Sequence, residues 1–334
     1  MRAIVVGAPD SVALEHLPDP SPAPDEVVVR VRGCGICGTD LHIIHEGLPT
    51  ATYPLVPGHE PWGEVVEVRD PLADVRIGDL VSVDPSLHCG RCDRCREGRG
   101  NLCRHWGAIG GTRAGAWAEL VAVPARNLHR LDPDYPLACA SIIEPVACGI
   151  RGIVRLQPQA GRSALIYGGG TMGVILAILL ELQGVGPITI VEANARRRAV
   201  IAGLTGATIA APEELDGLEA DYVIDATGNA GAIGEALGHV AFGGTFMIFG
   251  VASPEAMVSY SPFAIYQREI TIIGSMAIVH TYGQAVRTVR RHAARFAPLL
   301  THTYGLSEFG LALTTLASGE AIKVTISPWE DLSP

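Results

Sequence analysis

The sequence predicts an α/β protein of two domains: a β-rich, barrel-like one, then a doubly wound parallel sheet, with the tail returning to the first. Three observations predict it. Residues 1 to about 150 carry short, Val-heavy stretches separated by Gly, Pro and Asp, the pattern of small barrels. From about residue 160, apolar strand-like runs alternate with helical stretches, which calls for a parallel sheet. A chain of 334 residues is also long for one hydrophobic core.

Taken in order, Met1 to Val6 reads as a first strand and not as a secretion signal, with Gly7-Ala8-Pro9-Asp10 as its turn. Residues 18–24 are a Pro-rich loop, and strands follow at 26–31, 63–68 and 79–83. The second domain opens on a buried strand at 163–167. A glycine turn and an apolar helix to about residue 183 come next, then strands at 188–191, 222–225, 245–249 and 270–273. After about residue 285 a helix leads into short strands that end in Lys323-Val324-Thr325-Ile326. The expected bounds are 1–152 with 286–334 for the first domain and 153–285 for the second. The most apolar run, residues 174–180, is too short to span a bilayer and reads as a buried helix.

Charged residues make up 18% of the chain and the formal net charge is −10. That balance excludes a nucleic-acid partner and an anionic membrane surface, and leaves a small molecule as the ligand. The chain is expected in the cytoplasm, where its cysteines need not be oxidised. Lys323, the only lysine, carries no functional message at this level.

The chemistry gathers at Gly35-Ile36-Cys37-Gly38-Thr39-Asp40-Leu41-His42. A Cys at a loop end can ligate a metal, while Thr39 and His42 can move a proton between a substrate oxygen and solvent. His59 and Glu60 follow about twenty residues later, and Glu144 lies further on. Cys, His and carboxylate ligands with one position left open describe a catalytic zinc. Cys89, Cys92, Cys95 and Cys103 form a second group, C-x2-C-x2-C-x7-C. Four thiolates this close suit tetrahedral Zn²⁺ at about 2.3 Å each; an iron–sulfur cluster or two disulfides are the competing readings. With every position filled, that site can only be structural.

Gly168-Gly169-Gly170-Thr171-Met172-Gly173 has the form of a dinucleotide-binding turn, with a strand before it, a helix after it and Glu192 ending the next strand. Gly168 permits the turn, Gly170 lets a diphosphate approach the backbone, and Gly173 lets helix pack on strand. Thr171 and Met172 begin the helix whose N-terminus would hold the diphosphate. A carboxylate at Glu192 accepts hydrogen bonds from the adenosine ribose and repels a 2′-phosphate, so NAD is expected ahead of NADP. Arg197, among Arg196–Arg198, could instead accommodate that phosphate. Thr227, in Asp225-Ala226-Thr227-Gly228, closes a strand at the cofactor crevice and lines the nicotinamide side or forms a structural turn.

Together these motifs resemble the zinc-dependent medium-chain dehydrogenase/reductase family, and within it the polyol and threonine dehydrogenase branch. The resemblance covers nearly the whole chain, from Gly35–His42 through Gly58-His59-Glu60, the four-Cys lobe at about 86–106, Glu144-Pro145 and the dinucleotide turn to Thr301-His302. It implies a GroES-like catalytic domain, a Rossmann domain, two zinc ions per chain and a homo-oligomer, dimer or tetramer. Cys37, His59 and Glu144 would hold the catalytic zinc, with Glu60 an adjacent or exchanging ligand. Thr39 and His42 match the proton relay, and Asp40 a partner behind the zinc ligands. Pro61-Trp62 departs from the usual small apolar pair, and the loop between Gly47 and Tyr53 points to no single substrate. The implied activity is hydride transfer between a nicotinamide cofactor and a secondary alcohol or ketone, such as a polyol, sugar, cyclitol or amino alcohol. The alternatives are a simple alcohol dehydrogenase, a quinone or enoyl reductase of the same superfamily and, from another class, a zinc-binding regulatory protein.

Overall fold

A computed structural model describes residues 1–47, 51–70 and 73–329. Residues 48–50 of the loop noted above, and the last five residues of the expected first domain, lie outside the described residues. The chain forms two compact units: Met1–Ala147 with Ile278–Ser318 and Lys323–Pro334, and Cys148–Ala277 with Gly319–Ile322. Both joins fall earlier than the sequence suggests. At the first, helix Ile143–Leu156 runs on unbroken, so no turn residue marks the boundary. At the second, Thr281 Oγ1 donates to the Ala147 carbonyl at 2.8 Å and Tyr282 is buried with its hydroxyl 2.6 Å from Ser82 Oγ. Those bonds tie the segment into the first unit before the residue at which its helix becomes legible. The excursion of Gly319–Ile322 into the second unit has no signature in the sequence.

The first unit is built on a seven-stranded sheet. Its path runs Leu300–Gly305, Lys323–Ser327, Glu26–Gly35, Glu60–Val68, Leu80–Val83 and Leu128–Arg130, with Leu120–Pro124 also paired to Glu26–Gly35. Glu26–Gly35 therefore has three partner strands, and its valines Val27, Val28, Val29 and Val31 are all buried. Register then does the positioning. Gly35 pairs with Glu60 and Cys34 with Pro61 on one side; Thr325 pairs with Gly35 and Ile326 with Cys34 on the other. Three distant stretches of chain thus end beside Cys37.

The second unit is the parallel sheet that the alternation predicts. Its six strands run in the order Thr208–Ala210, Ile188–Val191, Ala164–Tyr167, Ala220–Asp225, Val240–Ile248 and Thr271–Gly274. The central strand Ala164–Tyr167 is buried along its length, as a strand covered on both faces must be. Helix Thr171–Leu182 buries every residue from Gly173 to Leu180. The short edge strand Thr208–Ala210 was not legible, since three residues carry no period. The helical stretch Leu137–Leu156 is long and apolar enough by composition to cross a membrane, yet most of it is buried within the protein.

Candidate active site

Cys37 caps helix Gly38–His45, with φ −115° and ψ 160°. The helix begins there because the Asp40 carboxylate accepts the Cys37 N–H at 2.9 Å, a side-chain cap for an orphan donor. The other oxygen of Asp40 lies 3.1 Å from His59 Nδ1, and Asp40 is fully buried. That contact fixes the ring and leaves Nε2 to face inward, the arrangement by which a carboxylate orients a metal-binding imidazole. Burial opposes charge on His59. The charge and hydrogen bond of Asp40, then Cys37, outweigh it and hold the imidazole pKa well above 6.5. The surroundings thus favour a cation at this point.

The ligand atoms of Cys37, His59 and Glu60 all lie within 4.8 Å of one another. A thiolate, an imidazole and a carboxylate so placed fit a zinc ion. Glu144 is buried in the first turn of helix Ile143–Leu156 and stands outside that mutual distance, although its charge reaches Lys323. Glu60 is itself engaged: Lys323 Nζ donates to its Oε1 at 2.6 Å and to the Ile36 carbonyl at 3.0 Å. Both side chains are almost wholly buried. Burial works against the ammonium, but Glu60 and then Cys37 outweigh it and raise its pKa. Lys323 is therefore the charge that balances an acidic site, a role its lack of lysine neighbours in the sequence did not suggest. The one available signal was a lone charge in the apolar strand Lys323–Ser327.

Trp117, fully buried, was also missed. Its Nε1 donates to the Gly35 carbonyl at 3.3 Å, and the Ala116 N–H donates to the Gly58 carbonyl at 2.9 Å. It braces both ligand-bearing turns. A Cβ on Gly35 would lie 1.8 Å from Glu60 Oε2, so only glycine fits there. Thr39 Oγ1 lies 3.9 Å from Cys37 Sγ. His42 sits one turn on, its Nδ1 2.9 Å from Glu46 Oε2. Nearby in this unit, Arg113 pairs with Glu26, and the Tyr53 hydroxyl donates to the Ile43 carbonyl.

The four-Cys lobe is a separate cluster within this unit. Its sulfurs all lie within 4.8 Å, with Cys92 to Cys95 at 3.5 Å and Cys92 to Cys103 at 3.9 Å. Backbone N–H groups of Arg104 and Cys95 pull the Cys92 thiol down to about 6, while partial burial and the neighbouring sulfurs push Cys95 up to about 12. Four thiols this crowded ionise together only around a cation, so the donor set fits zinc.

In the second unit, Gly168 turns at φ +104° and Gly170 caps helix Thr171–Leu182. A Cβ on Gly173 would lie 1.8 Å from the Gly168 carbonyl oxygen, whereas one on Gly170 would meet nothing within 4 Å. The open space stands before the helix N-terminus, where amide donors attract a diphosphate. Thr171 Oγ1 is spent on the Ile322 carbonyl at 2.5 Å; Met172 follows it in the first turn. Glu192 accepts the N–H of Gly169 at 3.0 Å and of Asn194 at 2.7 Å, and Arg197 lies 3.6 Å from the same carboxylate. Thr227 is held in a turn: its N–H and hydroxyl both donate to the buried Asp225.

A β-rich unit with a thiolate–imidazole–carboxylate cluster, and a parallel sheet with a dinucleotide turn, define a metal-dependent dehydrogenase. Residues 23–133 match the alcohol dehydrogenase GroES-like domain and residues 171–291 the zinc-binding dehydrogenase domain. The chain is 33% identical to D-altritol 5-dehydrogenase of Agrobacterium fabrum over 92% of this chain and 94% of that protein. It is 33% identical to D-arabinitol dehydrogenase 1 of Uromyces fabae over 91% and 90%. A candidate zinc-binding dehydrogenase from Sinorhizobium meliloti 1021, solved bound to NADP, superposes with a TM-score of 0.91 at 28% identity, covering 98% of this chain and 99% of that one. The chain belongs to the zinc-dependent medium-chain dehydrogenase/reductase family of the alcohol dehydrogenase superfamily. It is an NAD(P)-dependent oxidoreductase with a GroES-like domain and a Rossmann domain.

Proposed function

We propose that the enzyme interconverts a secondary hydroxyl of a polyol, sugar, cyclitol or amino alcohol with the corresponding ketone, using NAD. The carrying observation is the 33% identity, over nearly the full chain, to dehydrogenases of altritol and arabinitol. The acidic surroundings of the metal cluster agree with it. A carboxylate-rich shell is harder than one of two thiolates and suits substrates whose neighbouring hydroxyls share the metal.

When bound, zinc supplies a Lewis acid for the substrate oxygen and the nicotinamide supplies a hydride acceptor. Cys37 and His59 would hold the metal, with Glu144, outside their close cluster with Glu60, as the third ligand. Glu60, already claimed by Lys323, is the adjacent or exchanging ligand. Asp40 orients His59, and Thr39 takes the hydroxyl proton and passes it toward His42. The four cysteines of the lobe would hold a second, structural zinc. In the other unit Gly168, Gly170, Thr171, Met172 and Gly173 form the diphosphate cradle, and Thr227 stands at the nicotinamide side. Glu192 takes the ribose and favours NAD, while Arg197 beside it is the group that a 2′-phosphate would need. We place the protein in the cytoplasm, where the thiols of its two metal clusters would stay reduced. We also propose a homo-oligomer, dimer or tetramer. Thr271–Gly274 is an outer strand of its sheet, and Ile272, Met276, Phe263 and Tyr266 stand exposed on or near it.

Steady-state kinetics with NAD and NADP on a panel of polyols, cyclitols, amino alcohols, ethanol and benzyl alcohol tests the reading. A polyol or its relatives should give the highest kcat/KM, with NAD ahead of NADP. Ethanol or benzyl alcohol outperforming every other alcohol overturns the substrate class.

A further inference from the structure

We propose that Glu46 is the outer end of the proton relay: it fixes the ring of His42 and lets the proton leave to solvent. The inference rests on the assignment of Thr39 and His42 above. Helix Gly38–His45 uses one device twice. The Asp40 carboxylate pins Nδ1 of His59 at 3.1 Å, and the Glu46 carboxylate pins Nδ1 of His42 at 2.9 Å. In each case the carboxylate engages Nδ1 and not Nε2. A ring whose Nδ1 is bonded to a carboxylate is held in one orientation, with Nε2 turned away from that contact.

The remaining ionisable side chains of this helix are engaged elsewhere. Asp40 serves His59 and the Cys37 N–H, and His45 Nδ1 lies 2.7 Å from Asp10 Oδ1. Thr39 and His42 are three residues apart, hence on one face of the helix. Exposure rises along the series: the His42 side chain is 27% exposed and Glu46 57%. An exposed pair at this spacing adds little stability, so its weight falls on orientation and proton exit. The step balances. The substrate hydroxyl loses one proton, His42 gains it at Nε2 and becomes an imidazolium facing Glu46, and the Nδ1 proton leaves to water at the Glu46 end; exchange of one proton with water at each nitrogen then returns the neutral ring to its starting tautomer.

The test uses zinc-loaded enzyme and the fastest alcohol of the panel, D-arabinitol being the first tried, with kcat/KM for oxidation measured against pH and against imidazole buffer. Glu46→Gln should lower kcat/KM about tenfold near neutral pH. Imidazole buffer should restore much of the rate, and Glu46→Asp should keep most of it. In a His42→Ala background, Glu46→Gln should add no further loss. An impaired His42→Ala beside a Glu46→Gln variant with wild-type kcat/KM and no buffer response would overturn the role of Glu46 alone. A fully active His42→Ala would remove the relay reading and Glu46 with it.

Discussion

Cys37 stands at a helix cap beside one imidazole and one buried carboxylate, and a lysine from the other end of the chain balances them. Cys89, Cys92, Cys95 and Cys103 have one another, a few backbone N–H groups and the arginine-rich skin of their lobe. The first cluster is assembled by strand register from three distant stretches, with charges balanced before any ion arrives. The second is local, spanning fifteen residues of sequence, from 89 to 103, and has only a metal to relieve its crowding. Prepared charge makes a site that can survive exchange of a ligand. Crowded thiols make one that cannot fold well without its ion.

That contrast is broken first by cysteine replacement. Cys37→Ser should reduce turnover to below about one-thousandth of wild type, with the fold intact and one tightly bound zinc remaining. Cys95→Ser should do the reverse: a lower melting temperature and loss of the lobe's metal, with the surviving folded fraction still active. Metal content, thermal melts and kcat on the same preparations decide it. Wild type with one zinc per chain removes the distinction.

Lys323→Met sharpens the same contrast at a smaller scale. It leaves Glu60 charged and buried without its partner, which should cost about 3–5 kcal/mol, whereas Lys323→Arg should keep most of the stability. Chemical denaturation measures both. Equal stability of the Lys323→Met variant and the wild-type enzyme would show that Glu60 does not depend on the lysine.

The smallest effect concerns Asp84, five residues before the first lobe cysteine. Burial raises its carboxyl pKa from 3.8 to about 6, with the hydrogen bonds from Ser86 and the charge of His280 opposing. A carboxyl raised on folding contributes stability below its unfolded pKa and loses it as pH rises through the folded value. The loss should therefore run from about pH 4 to above pH 6. Asp84→Asn should remove that dependence and stabilise the protein by on the order of 1 kcal/mol above pH 7. Melting temperatures of both proteins between pH 4 and pH 8 check it. Parallel curves would mean that Asp84 does not sense pH.

The sequence alone determined what lies in local spacing. The C-x2-C-x2-C-x7-C run, the glycine turn with Glu192 beyond it, the valine strands and the alternation after residue 160 each need only neighbours along the chain to be recognised, because turn geometry and strand period are set within a few residues. Tertiary structure decided what depends on long closure. It joined Lys323 to Glu60 across 263 residues, braced Gly35 with Trp117, drew Gly319–Ile322 into the second unit, and put Glu60 rather than Glu144 in the close cluster with Cys37 and His59. It also turned the hydroxyls of Thr171 and Thr227 onto protein partners. No periodicity encodes such meetings. They follow from which strands pair and in what register, and from the requirement that a buried charge find its opposite.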